Sequence, residues 1–206
     1  MREIRWAVLS DLLARAVVGT LFAVLSLVLL QDFLETRRIT GLLLLASEAL
    51  IVVLTIFRRR ANAVDRSPEA VVMTGLSIIG PYLLRPSADG SWVPDLVTAA
   101  LSSVGLAVVI AGKMTIGRSF GIAPANRGIV TAGPYLFVRH PIYTGYLISH
   151  LGFVIAHPTV RNIAIAVVAD VCLVVRALIE ERMLIRDEGY REYCGRVRWH
   201  VLPGVF

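Results

Sequence analysis

Residues 160–179 read VRNIAIAVVADVCLVVRALI, twenty residues with Arg161 near one end and only Asp170 and Arg176 ionisable in the interior. At ~1.5 Å of rise per residue such a helix is about 30 Å long, which matches the hydrocarbon thickness of a bilayer. The stretch predicts a membrane-spanning helix, and its charged continuation Glu180–Glu181–Arg182 carries that helix beyond the apolar zone towards Asp187. Charge inside a span is costly, so Asp170 and Arg176 mark a functional expectation with partners to be found. Arg176 and Glu180 stand four residues apart on one helical face; a self-neutralising ion pair is the modest alternative.

Working outward, five further apolar runs appear. Leu12–Leu30 carries Arg15 near one end, where its stem lets the charge snorkel. Ile39–Phe57 holds Glu48 near its middle and stops at Arg58–Arg59–Arg60. Ser67–Pro68–Glu69 is an N-cap, a first-position proline and a first-turn acid, so a helix starts there and runs to about Leu84. The stretch Arg85–Val93, with Pro86, Gly90 and Pro94, reads as a turn before a span over Asp95–Met114. Pro141–Ala156 is short for a full span, and His157–Pro158–Thr159 turns the chain into the stretch quoted first.

Composition agrees. Among 206 residues 56% are hydrophobic and 17% charged, with a mean hydropathy of +0.72. Soluble domains hold ~45–50% apolar and ~25% charged residues, so a disordered chain is excluded and a water-soluble globule disfavoured. The net charge is +6, but the arginines fall between apolar runs rather than clustering as a nucleic-acid face would, so no nucleic-acid partner is expected. Of 21 basic residues, Arg37, Arg38, Arg85 and Arg161 fall in alternate loops and Arg15 and Arg176 within spans, leaving the majority on one side. The positive-inside rule then gives about six transmembrane helices with both termini cytoplasmic. The fold class expected is all-α: one polytopic membrane domain over 1–206, with an irregular cytoplasmic cofactor-binding loop and a C-terminal segment. The helices of 1–116 carry no recognised motif, and the catalytic region is expected over 117–206. Two cysteines, Cys172 and Cys194, without CxxC or zinc spacing, support neither a disulfide framework nor a metal site.

The stretch 117–140 contains Gly117, Gly121, Pro124, Gly128, Gly133 and Pro134, which no continuous helix accommodates. Irregular backbone at a membrane is tolerated where it lines a polar cavity, though an ordinary loop has the same composition. After it comes Arg139–His140–Pro141–Ile142–Tyr143. Pro141 suits the first helical position, leaving His140 at a helix mouth able to hold a carboxylate. Tyr143, Tyr146 and His150 follow at helical spacing, as a site wall or as interfacial belt residues. Glu48 and Asp170 read as helix-packing polar contacts. Rossmann, P-loop and nucleophile-elbow motifs are lacking.

Together, Gly128–Ile129–Val130–Thr131–Ala132–Gly133–Pro134–Tyr135, Arg139–His140–Pro141–Ile142–Tyr143–Thr144–Gly145, Glu180–Glu181 and Tyr190–Arg191–Glu192–Tyr193 resemble the isoprenylcysteine carboxyl methyltransferase family, within the wider group of membrane phospholipid methyltransferases. The resemblance covers roughly Gly117 to Phe206. It implies a membrane enzyme that transfers a methyl group from S-adenosylmethionine to a lipophilic or prenylated small substrate among the membrane lipids. It also implies that the backbone of Arg127, Gly128, Ile129 and Val130, with Tyr135, lines the cofactor pocket. His140, Pro141, Ile142 and Tyr143 continue that pocket, Glu180 takes the cofactor's ammonium, and Arg176 faces the acceptor carboxylate. An ionised carboxylate needs no base, whereas an amine acceptor, as in phospholipid N-methylation, needs one, and Glu181 and His150 are the candidates. Competing readings are a nicotinamide-dependent reductase, which expects more helices than this chain provides, and a membrane protein without catalytic activity.

Overall fold

The computed structural model describes residues 2–36, 39–87 and 93–206, so Arg37, Arg38 and Gly90 lie outside the described residues. Seven α-helices are present among them: α1 (Arg2–Thr36), α2 (Ile39–Phe57), α3 (Pro68–Tyr82), α4 (Asp95–Ile116), α5 (Pro141–Ala156), α6 (Val160–Leu184) and α7 (Glu188–Arg196). The all-helical class is as expected. Ser67 caps α3 by accepting from the Ala70 amide at 3.2 Å with Pro68 in the first turn, Thr159 caps α6, and Asp187 caps α7. The span at Asp95 runs two residues past Met114, and α3 stops two residues short of Leu84. The extension beyond Ile179 ends at Leu184, five residues on, and a short turn leads into α7.

On length and apolar content, two stretches among the described residues qualify to cross a membrane, Asp95–Ser119 and Val160–Leu184. Arg15–Gln31, Leu42–Phe57 and Pro141–Ala156 are shorter apolar segments. Apolar side chains point outward all round: Leu21, Val71, Val104 and Val167 are each more than half exposed. Contiguous apolar surface of that kind suits lipid rather than water. Arg15 resolves its charge by reaching the Ile56 carbonyl at the end of α2, 2.8 Å away.

The strongest packing is between antiparallel α4 and α5, and glycine makes it possible. A Cβ on Gly145 would stand 2.5 Å from the Gly105 carbonyl oxygen, and one on Gly105 would stand 2.7 Å from that of Gly145. Gly112 against Ile142 and Gly152 against Ser102 continue the seam. Between helices in lipid, where apolar burial gives little drive, small residues allow the backbone approach that dispersion needs. Around this pair Phe22, Ile51, Leu54, Val109, Ile142, Tyr143, Leu173 and Ala177 form a core drawn from α1, α2, α4, α5 and α6.

A two-residue antiparallel ladder, β1 (Ala63–Val64) with β2 (Ala125–Asn126), joins the α2–α3 connection to the loop that follows α4. Two-residue strands carry no periodicity, so the sequence gives no sign of them. The Arg59 amide adds a bond to the Arg118 carbonyl at 2.7 Å.

Gly145→Ala should destabilise the detergent-solubilised protein by about 1–3 kcal/mol, read as a lowered thermal midpoint, because backbone must move to admit the methyl group. Gly75→Ala is the control: nothing stands within 4 Å of a Cβ there. In that helix interior it should stabilise by about 0.5–1 kcal/mol.

Candidate active site

The loop from Gly117 to His140 is built to hold its backbone open. Two 3-10 turns, Gly117–Ser119 and Gly133–Leu136, bracket β2, and no α-helix intervenes. Asn126 closes an Asx turn by accepting from the Gly128 amide at 3.0 Å, and Ser119 Oγ donates to the Arg127 carbonyl at 3.1 Å. Gly128 sits at φ +99°, a conformation that side chains strongly disfavour. From beneath, α7 supports the loop. Tyr193 donates to the Tyr135 carbonyl at 2.6 Å, and Tyr135, Tyr190, Tyr193 and Val197 pack with Ile129 and Val130. Burial, with Glu180 nearby adding to it, pushes the Tyr135 phenol well above its ordinary range, so it stays a neutral donor.

One cavity of about 950 Å³ runs between this loop and the helices. Its wall includes Arg127, Gly128, Ile129, Val130, Tyr135, His140, Ile142 and Tyr143, together with Arg176 and Glu180 from α6. These residues come from positions as far apart as 127 and 180, and the fold gathers them around a single space. Pro141 is the exception within its run. It is fully buried at the start of α5 and supports the wall without lining it.

The ion pair that the spacing of Arg176 and Glu180 allows as the modest alternative is not formed. Arg176 is 7% exposed, donates through Nη2 to the Ile122 carbonyl, and spreads its guanidinium over the Tyr143 ring at 5.2 Å. Its Nε is buried without a hydrogen-bond partner. Glu180 instead accepts from the Tyr143 hydroxyl at 3.0 Å through Oε2. Both charged groups therefore meet Tyr143 from different sides, and neither quenches the other.

Glu181 points elsewhere. Its Oε1 lies 3.0 Å from His140 Nε2 and 2.7 Å from His200 Nδ1, and its Oε2 accepts from Arg139 Nη1 at 2.9 Å. It does not line the cavity, and three donors occupy it, which leaves it no capacity as a base at the site. His140 occupies the N-cap position of α5 without capping through its side chain, and its ring stacks parallel on Tyr143 at 5.2 Å. His150 lines the cavity, but seven residues beyond Tyr143 it is about 10 Å further along α5. Its Nδ1 is 2.6 Å from Asp170 Oδ1, which supplies the partner for that half-buried acid.

Residues 96–191 match the family model of phospholipid methyltransferases. The matched segment takes in α4, the irregular loop, α5, α6 and the start of α7, and so every cavity residue named above. A phospholipid methyltransferase match agrees with the family resemblance at the level of the wider group; it does not separate prenylcysteine from phospholipid acceptors. Comparison with curated proteins returns no match.

Several residues at the site were missed as such. The sequence places Tyr190 and Tyr193 in a motif without giving them a role, and Arg139 and His200 meet Glu181 only because the chain returns. The amides of Arg139 and His140 donate to the carbonyls of Trp199 and His200, each at 2.9 Å, so residues 197–206 strap across the start of α5. The adjacent Arg139–His140 and distant His200 gave no local signal of converging on one carboxylate.

Glu181→Ala leaves three donors without their acceptor and should cost about 3 kcal/mol. Hydrogen exchange should accelerate first at the Arg139 and His140 amides; unchanged protection there would remove Glu181 as the latch of the strap.

Proposed function

We propose that this chain is an integral membrane methyltransferase that moves a methyl group from S-adenosylmethionine to the carboxylate of a lipophilic, prenylcysteine-like acceptor. The observation that carries the reading is the juxtaposition at Tyr143. One carboxylate, Glu180, and one guanidinium, Arg176, share a buried cavity without pairing to each other. The match to phospholipid methyltransferases over the same residues supports the reaction class. The positive-inside asymmetry supports about six spans with cytoplasmic termini, which would open the loop to a cytosolic cofactor.

The residues suit the cofactor. Glu180 keeps Oε1 free of protein partners while Tyr143 fixes Oε2, so an ammonium group has an oriented carboxylate to meet. Tyr135 and Tyr190 offer aromatic faces to a sulfonium. About 950 Å³ lies at the top of the usual ~300–1,000 Å³ range for small-molecule sites, enough for a nucleoside together with part of a lipid. When bound, S-adenosylmethionine supplies an activated methyl group on sulfur. The chain's own contribution is position and charge. Arg176 has an unused Nε donor aimed at no protein group, and a planar guanidinium holds a carboxylate in a fixed orientation without protonating it. Such an acceptor is already ionised near neutral pH, so no proton need be removed. An amine acceptor would need a base, and of the two expected candidates Glu181 is fully engaged and His150 is two helical turns away.

Calorimetry of the protein in lipid nanodiscs should detect S-adenosylmethionine and no NADPH, with Glu180→Ala weakening the former about 10- to 100-fold, the range of a lost charge-assisted bond. Absence of S-adenosylmethionine binding would overturn the proposal. Arg176→Ala should leave that binding within about 2-fold of wild type but reduce labelled-methyl transfer to membrane-extract lipids by about 100-fold. Equal loss of both would give Arg176 to the cofactor instead of the acceptor.

A further inference from the structure

The mechanism leaves one buried acid of the same cavity without a task. Glu48 on α2 is 3% exposed and yet lines the cavity wall. Its Oε2 accepts from the Tyr82 hydroxyl at 3.1 Å. Its Oε1 has only a 3.5 Å approach from Ser47 Oγ and Lys113 Nζ at 4.0 Å. Lys113 is itself fully buried, but its close bonds go to the carbonyl and hydroxyl of Ser47, at 2.9 and 2.8 Å. The lysine therefore balances the charge of Glu48 from a distance and leaves one carboxylate oxygen without a firm bond. An ion pair serving packing alone would gain most from direct contact, and a carboxylate within an apolar helix is costly when it is left partly unsatisfied.

The position of this oxygen relative to the reacting end can be followed along α5. Lys113 Nζ lies 5.5 Å from the centre of the Tyr146 ring, and Tyr146 is three residues beyond Tyr143, whose ring Arg176 covers. Three residues of helix are about 4.5 Å of rise. The cavity thus presents a guanidinium donor over Tyr143 and, on the Tyr146 side beyond Lys113, a carboxylate acceptor.

We propose that Glu48 is a specificity-determining residue that accepts a hydrogen bond from an N–H group of the acceptor molecule. The inference rests on the carboxyl-methylation reading above and narrows its substrate class to amphiphiles that bear an amine or amide nitrogen besides the methylated carboxylate. A buried acceptor left unpaired by a ligand that lacks the donor penalises that ligand strongly, which is how polar sites discriminate.

The test uses full-length protein in nanodiscs loaded with S-adenosylmethionine and three carboxylate probes: S-farnesylcysteine, N-acetyl-S-farnesylcysteine and S-farnesyl-3-mercaptopropionate, the last having no nitrogen. Wild type should bind both nitrogen-bearing probes at least about 10-fold more tightly than the third. Because Glu48→Leu alone strands Lys113, the decisive variant is the double substitution Glu48→Leu with Lys113→Met, which removes both charges and keeps the volume. It should bind S-adenosylmethionine as wild type does and bind all three probes within about 2-fold of one another. Glu48→Gln, which retains an acceptor oxygen, should keep part of the preference. A wild type that does not discriminate, a double variant that still does, or failure of all three probes to bind the loaded protein each overturns the proposal. Loss of S-adenosylmethionine binding by the wild type would instead remove the reading on which it rests.

Discussion

The backbone contact between α4 and α5 is the constraint on which the remainder depends. Gly105 and Gly145 let two helices approach until carbonyl oxygens meet the opposing Cα positions, and Gly112 receives Ile142 at the same seam. That approach sets Tyr143 in the core and brings Tyr146 to Lys113. A wider separation would fill with side chains and push the first turn of α5 away from the end of α6. The cavity is the space that remains once this pair has closed and α6 has been laid against α3, where Gly80 meets Ala169.

At the end of α6 two neighbouring glutamates divide the work. Successive residues on a helix differ by 100° in direction, so Glu180 and Glu181 face different surroundings. Glu180 turns to Tyr143 and the cavity, whereas Glu181 turns to Arg139, His140 and His200. His140 connects them, bonded to Glu181 and stacked on the ring that holds Glu180. The strap and the cavity are therefore not independent, although only one of the two carboxylates borders the space.

How far the sequence could be read depended on whether the signal was local. The limits of α5 follow from Pro141 at its first position and His157–Pro158 after it, and the start of α3 follows from Ser67–Pro68. The irregular loop was evident from its glycines and prolines. Helix α7 was not, because its nine residues contain no apolar run and only their amphipathic face and the Asp187 cap define them. The spacing of Arg176 and Glu180 allows either an ion pair or separate roles, and only the folded chain decides, turning Arg176 to Ile122 and Glu180 to Tyr143. Asp170 with His150 and Glu48 with Tyr82 depend on long-range closure and have no signature in a single stretch of chain.

The small ladder between Ala63–Val64 and Ala125–Asn126 has a mechanical meaning. It ties the far end of α2, the helix that carries Glu48, to the loop that carries Arg127 and Gly128, and the Arg59–Arg118 bond reinforces the tie. The half of the chain without a recognised motif is thereby yoked to the half that has one. Four paired residues thus fix the position of the loop against the segment that follows α2, on both sides of the same cavity.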